Sequence, residues 1–173
     1  YQNDGSENFT KNPVDENLRD ARDVVIADID SDGDFDAVAT SSNTNGNDLV
    51  WYENDGLENF TEHQLPVSDG ANNCYAVFPI DVDSDGDIDI IEGVRGLNTM
   101  LEGWLRWMEN DGSENFTEHI IASSATISGI WAEDIDNDSD IDILEINEND
   151  GTAWYENDGS QNFTERIVND NSG

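Results

Sequence analysis

Apolar residues in this chain come in short runs, three to seven residues long, and clusters of Asp, Asn, Gly and Ser cut each run off. Runs of that length, rich in β-branched and aromatic side chains, predict strands rather than helices. The first set is Val24–Ala27, Ala37–Thr40, Leu49–Tyr52 and Phe60–Leu65. Its last member alternates apolar and polar residues, as a half-exposed strand should. The pattern returns as Ala76–Ile80, Ile88–Val94, Trp104–Met108 and Phe116–Ile121. It returns again as Gly129–Ala132, Ile141–Ile146, Ala153–Tyr155 and Phe163–Val168. No segment sustains a helical period, apart from one turn expected at Asp15–Arg22. The predicted fold class is all-β.

Two repeated phrases set the period. One is Tyr52-Glu-Asn54-Asp55-Gly56-Leu-Glu-Asn59-Phe60-Thr61, with counterparts that start at Tyr1, Met108 and Tyr155. Its Asn-Asp-Gly core favours the positive φ of hairpin turns. Tandem antiparallel units of four strands and about 50 residues are blades of the propeller type. The expected division is a partial blade with a linker at 1–22, then blades at 23–66, 67–121 and 122–173. The partial unit supplies the end of a third strand and a fourth strand, Asn8–Val14, without the first two. An orphan strand is marginal in water. It is expected to complete a sheet in another copy or in further blades of a longer chain. Three blades cannot close a ring, so the faces of the end blades raise the same question.

The second phrase carries the chemistry. Asp28-Ile-Asp30-Ser-Asp32-Gly33-Asp34-Phe-Asp36 recurs as Asp81-Val-Asp83-Ser-Asp85-Gly86-Asp87-Ile-Asp89 and as Asp134-Ile-Asp136-Asn-Asp138-Ser139-Asp140-Ile-Asp142. The spacing is 53 residues both times. Five carboxylates in nine residues repel one another unless a cation sits among them. Alternate placement in a tight loop gathers their oxygens around one centre, the arrangement a hard ion such as calcium takes. In the first loop Asp28, Asp30, Asp32 and Asp36 would offer side-chain oxygens, and Asp34 its backbone carbonyl. One calcium per loop is expected, three in all. Ser139 stands where the other loops have glycine, at a position expected to need a strained backbone, so the third site is expected to bind most weakly.

The loops and their in-phase companion motif resemble the FG-GAP/VCBS repeats of integrin-alpha-like propellers. In that family the first hairpin of a blade carries an Asp-rich calcium loop. The phrase Trp51-Tyr-Glu-Asn-Asp-Gly with Asn59-Phe-Thr-Glu-His63 resembles the companion sequence of bacterial secreted versions. The resemblance covers nearly the whole chain and implies an extracellular, calcium-stabilised propeller. It implies no single activity, since the family includes adhesive, lectin-like and enzyme-attached modules.

Charge sharpens this picture. Fifteen of the 41 acidic residues lie in the three loops, leaving 26 against six Lys and Arg. Three divalent ions would move the net charge from −35 only to −29. Such a surface excludes nucleic acid and anionic membranes as partners. It suits a medium rich in salt or divalent cations, as in a marine or halophilic setting. Cys74 is the single cysteine, so no intrachain disulfide forms. No apolar run approaches the ~20 residues of a membrane helix. Tyr1 opens directly into a turn motif, and a mature, processed or excised extracellular segment is the expected reading.

The remaining candidates have structural readings. Trp51, Trp107 and Trp154 share one repeat position and are expected between blades, whereas Trp104 and Trp131 fall outside it and are the candidates for exposed aromatics. Ile29, Val82, Ile135, Phe35, Ile88 and Ile141 are expected to point into the blades. His63 and His119 share a position that becomes Arg166, so a catalytic or zinc role is disfavoured. Recurrence of Glu53, Glu109 and Glu156 gives a two-carboxylate glycosidase site little support. Asn-Phe-Thr at Asn8, Asn59, Asn115 and Asn162 matches the glycosylation sequon, but reads as a turn Asn followed by a core Phe. A non-enzymatic module for adhesion, surface assembly or filament formation is expected, with copies of itself, further blades, or a glycan or protein ligand as partners. The alternatives are a lectin-like propeller and a module of a secreted polysaccharide-active enzyme. The insertion Arg95–Arg106 is the place where an enzyme would show itself.

Overall fold

A computed structural model describes residues 1–42, 49–67, 73–96, 103–123, 126–148 and 151–169. The described residues form strands and turns without a helix. A short hairpin comes first, β1 (Gln2–Asn3) with β2 (Phe9–Thr10). Three four-stranded antiparallel sheets follow, each in simple meander order. The first holds β3 (Ala21–Ala27), β4 (Asp36–Ser41), β5 (Leu49–Asn54) and β6 (Phe60–Gln64). The second holds β7 (Cys74–Ile80), β8 (Asp89–Val94), β9 (Trp104–Asn110) and β10 (Phe116–Ser123). The third holds β11 (Ile127–Glu133), β12 (Asp142–Asn147), β13 (Gly151–Asn157) and β14 (Phe163–Asn169). The expected helical turn at Asp15–Arg22 is absent; β3 already begins at Ala21, because β4 offers it a pairing edge as far as Ser41.

The sheets stack as blades, with β3 against β7 and β7 against β11 on the inner side. The stack is open, not a closed ring. One core lies between the first two blades, where Ile29, Val38, Leu49 and Trp51 meet Val77, Ile90 and Met108. The other lies between the second and third, where Val82, Ile91, Leu105 and Trp107 meet Ile127, Ile143 and Tyr155. Period-2 alternation thus divides each strand between two interfaces. This corrects one expectation. Ile29 and Val82 are buried and Ile88 and Ile141 half-buried, but Phe35 and Ile135 are exposed. The reason is positional: Phe35 belongs to the outward face of the first blade and Ile135 to that of the third, and no blade covers either.

The N-terminal hairpin keeps the register of the later turns, Gln2 opposite Thr10 as Glu53 is opposite Thr61. Its tie to the first blade runs through Gln2 Nε2, which donates to Glu58 Oε1 at 2.9 Å. The expected fourth strand at Asn8–Val14 is therefore only two residues long.

Candidate metal centre

Each Asp loop joins the first two strands of its blade, and side-chain-to-backbone hydrogen bonds build it locally. The first carboxylate curls back over the loop, where Asp28 Oδ2 accepts from Gly33 N at 3.1 Å. Asp81 accepts likewise from Gly86 N at 3.0 Å, and Asp134 from Ser139 N at 3.1 Å. Asp32 Oδ1 accepts from Asp34 N at 2.9 Å, with counterparts at Asp85 and Asp138. These turns force left-handed backbone twice per loop. The fourth residue takes φ of 60°, 64° and 67° at Ser31, Ser84 and Asn137. The sixth takes 99° and 102° at Gly33 and Gly86, and 82° at Ser139. The strain expected at Ser139 is therefore present, on a residue with a Cβ. Replacing Ser139 by glycine removes a cost of about 1 kcal/mol. Ser139→Gly is expected to tighten cation binding at the third loop roughly fivefold, read by calorimetric titration; unchanged affinity would contradict the strain argument.

Three carboxylate oxygens come together in each loop, within 4.8 Å of one another: Asp28, Asp30 and Asp32; Asp81, Asp83 and Asp85; Asp134, Asp136 and Asp142. Oxygens on opposite sides of one calcium ion would lie about 4.6–5.2 Å apart, so these groupings fit one ion each. Asp28 Oδ1 is buried and has no hydrogen-bond partner, an orphan that a cation would satisfy. The donor set is oxygen alone, which suits a hard divalent ion and not zinc or copper.

The other predicted ligands have a second task. Asp36, Asp89 and Asp142 are fully buried. Each takes two backbone N–H groups. Asp36 accepts from Ile29 N at 3.1 Å and Asn54 N at 2.8 Å. Asp89 accepts from Val82 N at 2.9 Å and Asn110 N at 2.8 Å. Asp142 accepts from Ile135 N at 3.1 Å and Asn157 N at 2.9 Å. The ninth carboxylate therefore staples the loop to the end of the third strand, and Asp142 shows that a staple can also face the cation. The seventh carboxylates, Asp34, Asp87 and Asp140, lie over Gly56, Gly112 and Gly159 of the companion turns, where a Cβ would overlap them. This explains why loop and turn recur in phase: one closes on the other.

The asparagines of the companion turns complete that closure, and sequence reasoning missed them as site residues. Asn54 Nδ2 donates to Phe35 O at 3.1 Å, and Asn157 Nδ2 to Ile141 O at 3.2 Å. Asn110 Nδ2 donates to Ile88 O at 3.2 Å and, across the blade interface, to Ile29 O at 3.1 Å. Their fixed offset ahead of each Gly was the available signal.

Burial raises the pKa of Asp30 and Asp83 above the ordinary carboxylate value, and neighbouring carboxylates add to the effect. Burial pushes Asp89 up to about 6, against the pull of its two backbone donors. A raised carboxylate favours the folded state most when protonated, and that contribution is lost as pH rises through the folded-state value. The cation-free chain is therefore expected to melt higher at about pH 5 than at neutral pH. Saturating calcium should reverse the order, because protons and ions compete for the same oxygens. Equal pH slopes with and without calcium would contradict this.

Other candidates resolve into pairs. His63 Nε2 lies 2.7 Å from Glu53 Oε2, and the ring stacks on Trp51 with centroids 4.4 Å apart. His119, Glu109 and Trp107 repeat this, and Arg166 with Glu156 takes the same place in the third blade. Trp51 and Trp107 are buried as expected; Trp154 and Trp104 are half-buried and Trp131 is exposed. Asn59, Asn115 and Asn162 donate their side-chain amides to Asp55, Asp111 and Asp158 of their own turns. Those bonds lower the pKa of the three aspartates. Arg106 is buried against Glu92 and Glu118, and Arg95 pairs with Glu148. Residues 97–102 of that insertion lie outside the described residues.

Propeller-like blades whose first hairpin carries an in-phase cluster of carboxylates define the class. Residues 28–92 match the family model described as FG-GAP-like repeat, from the first Asp loop through the second and into β8. That segment is therefore similar to the FG-GAP-like repeat that the motifs resemble. No curated protein matches the chain.

Proposed function

We propose that this chain is a calcium-stabilised β-propeller repeat module that works outside the cell as a non-enzymatic binding or structural element in adhesion or surface assembly. The carrying observation is the threefold recurrence of a carboxylate triplet within 4.8 Å, each at the same hairpin of its blade. An ion held there would neutralise the cluster and fix the hairpin, while Asp36, Asp89 and Asp142 pass that rigidity to the third strand. Weak sites of this kind, with dissociation constants of ~10⁻⁴–10⁻³ M, fill where calcium is plentiful, which favours an extracellular setting. No helix among the described residues is long and apolar enough to cross a membrane. Pairing of Glu53, Glu109 and Glu156 with basic partners supports the non-enzymatic reading. Calorimetric titration tests it. Three calcium equivalents should bind, with magnesium much weaker; absence of binding heat at millimolar calcium would overturn it.

A further inference from the structure

The repeat allows each blade face to be compared slot by slot with its counterparts. Positions covered by a neighbouring blade in the interior of the stack are bare at its two ends. Ile29 is 1% exposed and its third-blade counterpart Ile135 41%; Leu65 is 6% exposed and Val168 60%. On the opposite face, Val77 is 3% exposed and its first-blade counterpart Val24 64%. Ile26 beside Val24, and Trp131 and Ile146 on the third blade, are exposed too. Apolar patches of this kind mark interaction surfaces.

The two end faces also differ in relief, in opposite senses. Inside the stack Gly93 faces Ile127 and Ile130 of the next blade so closely that a Cβ there would overlap them. The matching third-blade residue is Ile146, a knob where the interior has a gap. The first blade is correspondingly hollow. Ala21 stands where later blades have Cys74 and Ile127, and Ala37 where they have the buried Ile90 and Ile143. Ala21, Val24, Ala37, Ala39, Leu18 and Tyr52 line a cavity of about 420 Å³. Leu18 packs on the outer part of this face, and Tyr52 Oη donates to Asp15 at 2.9 Å, which leaves the inner part open.

Charge agrees with shape. At the rim opposite the Asp loops, Arg95 donates to Glu148 at 3.1 Å across the second interface. Arg22 lies over the Tyr75 ring, 5.0 Å from its centroid, across the first. The end of a second strand faces the next blade's first strand, as β4 faces β7 and β8 faces β11. A blade placed after the third would therefore set its Arg22 beside the half-exposed Glu148.

The geometry points to head-to-tail self-association, in which the knobbed face of the third blade seats in the hollow face of the first blade of a second copy. This deepens the proposed assembly role by naming the partner, and it rests on the blade architecture rather than on the ions. Such a contact is heterologous and leaves one free face at each end.

Sedimentation velocity over a concentration series, in saturating calcium and about 1 M salt to shorten the Debye length to about 3 Å, tests it. The mass should rise above the single-chain 19.2 kDa with concentration. Val24→Glu and Ile146→Glu alter exposed side chains and should each hold the chain at single-chain mass. An equimolar mixture of the two should reach twice that mass, since each variant keeps the face that the other has lost. Three results would overturn the inference: a wild-type monomer throughout, association that neither variant changes, or a mixture that stays monomeric. Melting each variant with calcium and with EDTA reads folding and the calcium reading separately. If either glutamate lowers the melt, Val24→Thr and Ile146→Thr should repeat the pattern with a smaller shift.

Discussion

Chelating divalent cations is expected to lower the melting temperature by roughly 15–30 °C. An ion at ~100 times its dissociation constant stabilises the fold by about 2.7 kcal/mol, provided the unfolded loop does not bind. Three such sites would add about 8 kcal/mol, a large part of the 5–15 kcal/mol that holds an ordinary domain together. For a chain of this size each kcal/mol moves the midpoint by about 2–4 °C. Removal also exposes repulsion among oxygens held within 4.8 Å by their own turns. Thermal melts by circular dichroism in calcium, in EDTA, and after calcium is restored measure the shift and its reversal. About 1 M sodium chloride should recover only part of the loss, because screening does not replace coordination. Asp28→Asn isolates the charge, since the amide oxygen can still accept from Gly33 N. That variant should lose about a third of the calcium-dependent shift. A midpoint unmoved by EDTA would sink the structural role of the ion.

What the sequence made legible was whatever is local. Spacing within nine residues was enough to place Asp28, Asp30 and Asp32 around one centre, and a period of 53 was enough to repeat the blade. The staples at Asp36, Asp89 and Asp142 were read only as ligands, because their N–H partners at Asn54, Asn110 and Asn157 lie 15 to 21 residues away. Ile135 and Phe35 were misplaced because a repeat pattern assigns every blade the same two neighbours, and the end blades lack one each. Arg106 was read as part of the insertion where an enzyme would show itself. Its slot holds Val50 in the first blade and Ala153 in the third, so aligning the units would have shown a charge entering a packed face.

That buried charge gives the second large effect: Arg106→Met is expected to cost about 3–5 kcal/mol. Arg106 is 1% exposed and Glu92 fully buried, and the two meet on adjacent strands β9 and β8. Arg106 Nη1 also reaches Glu118 Oε1 at 2.7 Å, so one guanidinium compensates two carboxylates. Removing it leaves Glu92 in an apolar interface between blades, where an unpaired charge costs far more than the pair contributes. The midpoint should fall by roughly 6–20 °C. Replacing both partners tells loss of a pair from loss of packing. In Glu92→Leu with Arg106→Met the fully buried carboxylate goes with its partner and only Glu118, nearer the surface, loses its pairing, so burial of similar volume should recover most of the loss. Chemical denaturation of the two single variants, the double variant and the wild type closes the cycle. A double variant as unstable as Arg106→Met would show that stranding Glu92 is not the cause, and would assign the loss to the guanidinium and its bond to Glu118.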